Sequence, residues 1–178
     1  MQGRFALFSA MCVALCILWA PASQAFAEPR IFQASLTPEA ALREREVTIE
    51  GLTVGIWSEN PQRGLALGFV SGSTGKSSGF SWSFVMNYAQ SYSGVHWAPV
   101  NYTRENFSGW QNGAVNLTQQ GFKGFQLGLV NYASQMRGLQ LGLVNYAEEV
   151  DAGVQLGLAN VIRENEWFPG MVLVNWRF

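Results

Sequence analysis

GFQLGLVNYA, from Gly124 to Ala133, and GLQLGLVNYA, from Gly138 to Ala147, are nearly the same decapeptide written twice. Working outward from them, the asparagine near the end of each belongs to a row: Asn87, Asn101, Asn116, Asn131, Asn145, Asn160 and Asn175. The steps are 14, 15, 15, 14, 15 and 15 residues. A short fixed period means one structural unit built repeatedly, and it governs any reading of the fold. It also argues against catalysis, because an active site needs unlike side chains converging and a repeat supplies like side chains in rows. No enzymatic activity, cofactor or metal site is expected.

With the unit set as G-φ-Q-L-G-L-V-N-Y-A, copies begin at Gly64, Gly79, Gly94, Gly109, Gly124, Gly138 and Gly153, and a looser one at Gly51. The units are rich in Val, Leu and aromatics and carry internal Gly, which favours strand over helix. Charges fall between the units, at Arg63, Lys76, Arg104, Glu105, Lys123, Arg137, Glu148, Glu149, Asp151, Arg163, Glu164 and Glu166. A half-wet sheet normally shows charge on its solvent face. Both faces are therefore shielded from water, or one is coated by uncharged polar groups.

Residues 1–27 read as a signal peptide: Arg4, an uncharged apolar run from Phe5 to Ala20, then Ala25-Phe26-Ala27, with cleavage expected after Ala27. Both cysteines, Cys12 and Cys16, lie inside it, which excludes disulfides and thiol chemistry from the mature chain. Removing Arg4 lowers the 11 basic residues to 10 against 12 acidic ones, a net of −2, so nucleic acid is not an expected partner. Residues 28–50 supply an N-terminal strand near 30–37 and a polar connection from Pro38. Residues 51–178 are the tandem repeats.

Short gaps between units suit hairpins, since a parallel neighbour ordinarily needs a long crossover. The expected fold is all-β, an antiparallel up-and-down meander of about ten strands closing into a small barrel. Twelve tilted residues span about the apolar band of an outer-membrane barrel. The C-terminal stretch with Val174, Trp176 and Phe178 resembles the assembly signal of bacterial outer-membrane β-barrel proteins. The alternative is a two-sided β-solenoid of about 15 residues per coil, with Asn and Gln stacked as ladders. Uniformly short turns favour that alternative.

The units GFQLGLVNYA, GLQLGLVNYA and GVQLGLANV resemble the surface-repeat proteins of bacterial envelopes, built from tandem GVQIGLVN-like repeats. The resemblance covers residues 51–178 and is strongest from 124 to 162. It implies an exported protein of the outer membrane or cell envelope and carries over no catalytic residue.

Individual residues sharpen this picture. His96 occupies the slot of Gln111, Gln126, Gln140 and Gln155, and reads as a substituted Gln rather than a base. The Gly72–Ser78 stretch, GSTGKSS, lacks a phosphate-loop frame and reads as an exposed turn, the favoured contact site. The Asn row reads as structural, pairing across the sheet or satisfying turn backbone. Glu148, Glu149 and Asp151 read as solvated turn charge. Trp82, Trp97 and Trp110 replace leucine-row positions and form an aromatic contact patch, facing lipid or a partner. The function expected is a structural or surface-contact barrel with membrane lipid as partner; the alternative is a soluble or peripheral solenoid binding a partner or polysaccharide.

Overall fold

The computed structural model describes residues 30–178, so the leader and its cleavage position lie outside the described residues. Nine strands form one sheet system: β1 (Arg30–Ser35), β2 (Ile49–Glu59), β3 (Gln62–Trp97), β4 (Val100–Thr103), β5 (Phe107–Asn112), β6 (Val115–Leu127), β7 (Val130–Leu141), β8 (Val144–Ile162) and β9 (Gly170–Arg177). From β1 to β8 every pairing is parallel. The architecture is a β-solenoid of about eight coils with about 15 residues per coil.

The antiparallel barrel expectation is thus corrected. The decapeptide is not one straight strand: it bends at Gly128-Leu129 and again at Gly142-Leu143, and the second arm carries the chain back. A parallel neighbour is reached without a separate crossover, because the unit is its own return path. Each residue lands over its counterpart one unit earlier, as with Gly124↔Gly138, Gln126↔Gln140 and Asn131↔Asn145. An antiparallel meander would have set the Asn end of one unit against the Gly end of the next. Parallel stacking at a rise of about 4.8 Å lets identical amides bond in ladders.

Inside each coil, Phe122, Gln126, Asn131, Ala133 and Met136 point inward and are buried. Tyr92, Phe107 and Phe122 stack with centroids 6.0 Å apart and planes 11° off parallel, and Met136 and Val150 continue the column. The repeat glycines stack as a second column. Gly124 has φ +132°, and a Cβ there would drive into the carbonyl oxygen of Gly109, so only glycine lets the coils approach at this bend.

The two ends are treated differently. At the start, residues 36–46 fold over β1: Leu42 N–H donates to Ala34 O at 2.9 Å, and Gln33 exchanges bonds with the Arg43 backbone at 2.8 and 2.9 Å. Arg45 pairs with Glu59, which also accepts from Tyr88 Oη at 2.9 Å. At the far end the chain reverses after Ile162, and β9 lies antiparallel on β8. Val174 and Trp176 therefore belong to the terminal strand of an open solenoid, and Phe178 follows its end. They do not close a barrel, and Trp176 and Phe178 are exposed.

Candidate functional site

The interior polar residues form two ladders. In the first, Asn87, Asn101, Asn116, Asn131 and Asn145 each donate from Nδ2 to the Oδ1 of the next asparagine, at 2.8–3.1 Å, ending on Asn160. Asn116, Asn131 and Asn145 also donate to the corner carbonyls of Leu127, Leu141 and Leu156. Each amide thus fixes both the stacking of two coils and the bend of the upper one. Asn87 is continued by Ser83, which donates to it at 2.7 Å and bonds Ser71 at 2.8 Å. The seventh asparagine has left the row: chain reversal sets Asn175 opposite Gln155, and its Nδ2 bonds the backbone oxygens of Phe168 and Asn160.

The second ladder joins Gln111, Gln126, Gln140 and Gln155 at 2.7 Å. His96 sits in register with Gln111 and is buried, with its Nδ1 unpartnered among the described residues. Burial lowers its pKa to about 3. The unfolded chain binds a proton near pH 6.5 and the folded one does not, so stability falls as pH drops from about 6.5 towards 3, by up to about 1.4 kcal/mol per pH unit. Above that window His96 contributes no pH dependence. His96→Gln is expected to extend the ladder by one rung, raise stability by about 1 kcal/mol at neutral pH and flatten this acid slope. Urea unfolding at pH 7 and pH 5 measures both; an unchanged slope refutes the assignment.

With these ladders inside, the outward side chains sort onto two opposite edges. The corner edge is apolar and uncharged. Leu129, Leu143 and Leu158 are 54%, 49% and 62% exposed at its apex, flanked by Leu127, Leu141 and Leu156 on one arm and Val130 and Val144 on the other. Upstream, Trp97 shares the row of Leu127 and Leu141, while Trp110 shares the row of Phe125 and Leu139. Trp97 and Trp110 touch with centroids 6.0 Å apart, and Trp82 shares a shallow cleft with Trp97, Phe84, Pro99 and Ala114. The structure therefore brings the three sequence-identified tryptophans together on this edge. Tyr132 and Tyr146 stack on its other flank, 5.6 Å apart.

The opposite edge collects the charge. It divides into an acidic side, with Glu148, Glu149 and Glu164, and a basic groove lined by Lys76, Lys123 and Arg137. Glu148 accepts from Tyr132 Oη at 2.9 Å and faces Arg163 at 3.7 Å. Among the described residues, no group of three His, Asp or Glu side chains is placed to hold a metal. The Gly72–Ser78 stretch, expected as an exposed turn, instead continues strand β3 with Gly72, Ser73 and Ser77 buried; Gly75, at φ +61°, lies next to Lys76, the exposed residue of the stretch, and Lys76 and Ser77 line the groove. Sequence reading missed the groove itself. Its signal was a cation immediately before the repeat glycine in consecutive units, Lys123-Gly124 and Arg137-Gly138, which only a parallel register converts into neighbours. Compared with known protein families, curated proteins and solved structures, the chain matches none.

Proposed function

We propose that this protein is a non-enzymatic, exported module of the bacterial envelope that lies peripherally on a membrane surface through its apolar edge. The observation that carries this reading is the corner edge itself. Exposed leucines recur on successive coils without an intervening charge, flanked by Trp97 and Trp110 on one side and Tyr132 and Tyr146 on the other. Soluble surfaces seldom leave so long an apolar strip uncovered. An apolar strip rimmed by Trp and Tyr, with charge confined to the far edge, is the distribution of an element lying in a bilayer interface. The likeness of the repeat to GVQIGLVN-type envelope proteins supports the same setting. Among the described residues the strands are paired into stacked coils, which supports a contact of surface rather than span.

Mature protein is expected to float with vesicles of phosphatidylethanolamine and phosphatidylglycerol, and to be released from membranes by an alkaline carbonate wash. The triple variant Leu129→Glu, Leu143→Glu and Leu158→Glu should lose flotation while retaining its β-sheet circular dichroism, since all three side chains already point to solvent. Flotation unaffected by these three charges would sink the reading, and retention after carbonate would return the case to a membrane-spanning barrel.

A further inference from the structure

We propose that the basic groove on the charged edge binds an extended acidic glycan, a sugar chain bearing carboxylates, laid along the solenoid axis. The groove crosses successive coils, has a volume of about 470 Å³, and carries the three cations Lys76, Lys123 and Arg137 against one carboxylate, Asp151, at its far end. Its floor is the column of Tyr92, Phe107 and Phe122, and its walls are short polar side chains such as Ser93 and Ser108. Lys76, Lys123 and Arg137 are exposed on its rim. None of the three has a carboxylate within ion-pair distance among the described residues.

Lys123 and Arg137 are register neighbours on adjacent coils, so their backbones stand about one strand spacing apart, near 4.8 Å, and both side chains project from the same edge. Like charges so placed repel each other, and a polyanion with a similar repeat relieves that repulsion at two rungs together. Serine hydroxyls and the amides of Asn106 and Gln135 suit sugar hydroxyls. Nucleic acid fits less well, because Phe107 and Phe122 are 1% and 2% exposed and offer no ring face on which a base could stack. The groove lies opposite the apolar edge, so this site does not depend on the membrane reading.

Short oligogalacturonates titrated into the mature protein at low salt test the proposal, with maltooligosaccharides and single-stranded DNA as comparisons. Binding of the uronate is expected, weakening as salt rises, with no binding of the neutral sugar. Lys123→Gln with Arg137→Gln should weaken it at least about tenfold, the equivalent of one charge-assisted hydrogen bond, at an unchanged melting temperature. Lys76→Gln gives an independent weakening at the other end should the double variant fail to fold. Glu148→Gln with Glu149→Gln, on the acidic side of the same edge, should not weaken binding. No uronate binding, equal binding by both cation variants, or tighter binding of DNA overturns the assignment.

Discussion

Asn131→Asp is expected to destabilise the solenoid by roughly 3–5 kcal/mol at neutral pH, the range for a buried charge left without its partner. Asn131 is fully buried in the middle of the ladder. Its Oδ1 accepts from Asn116 at 2.8 Å, and its Nδ2 donates to Asn145 Oδ1 at 2.8 Å and to Leu141 O at 3.0 Å. A carboxylate keeps the first bond and turns the other two into contacts between oxygens, one of them charged. Asn131→Ala loses all three bonds but adds no charge, for roughly 2–3 kcal/mol.

The pH dependence separates the two variants. Burial among acceptors raises the folded pKa of the introduced carboxyl above its unfolded value. Between those two values the folded state holds more protons, so stability falls as pH rises through the window and recovers as pH drops. The acid variant should approach the alanine variant in mildly acidic buffer and separate from it at neutral pH, in urea unfolding followed by circular dichroism. Parallel pH profiles would remove the ladder from its proposed role. Because coils touch only their neighbours, a lesion at the centre is also expected to split the single unfolding transition into two.

Gly124→Ala is expected to cost roughly 2–6 kcal/mol, from two additive sources. The φ of +132° lies where L side chains are rarely found, which costs about 1–3 kcal/mol. The new methyl would also meet the Gly109 carbonyl oxygen of the coil below, and overpacking of this kind costs about 1–3 kcal/mol more. Gly75→Ala isolates the first source: its φ is +61°, and nothing lies within 4 Å of a Cβ there, so only about 1–2 kcal/mol is expected. Equal losses at the two positions would mean that the close approach of coils at Gly124 contributes nothing. A thermal-shift comparison of the two variants with the parent protein is sufficient.

Much of this arrangement could be read from the amino-acid sequence, residue by residue. The spacing of the Asn row equals the register that the coils adopt, Asn131 over Asn145 and Gln126 over Gln140. Placing His96 in a Gln slot was a statement of registry, and His96 does lie against Gln111. The absence of charge from the repeat body and its gathering at the junctions likewise maps onto two physical edges.

What failed was strand direction. Short gaps imply reversals only where each decapeptide is one straight strand. Gly128-Leu129 bends it, so the gap lies within a circuit. The identity of residues at matching positions already favoured parallel stacking, since an amide ladder needs like residues opposite one another. Asn175 shows the converse limit: it keeps the 15-residue spacing, yet the reversal after Ile162 places it opposite Gln155 and outside the ladder.

The sequence by itself determined the period, the composition of each stacked row from β2 to β8 and the segregation of charge, because these are properties of position along a repeat. Only the tertiary structure decided which rows face water. Inside and outside alternate along each arm but shift phase at every bend, and the bend geometry depends on coils stacked above and below. That shift buries Gln126 and Asn131 while exposing Leu129 and Val130, an inversion of ordinary hydropathy. Ladder hydrogen bonds between stacked coils satisfy the buried amides, and no single unit could supply them alone.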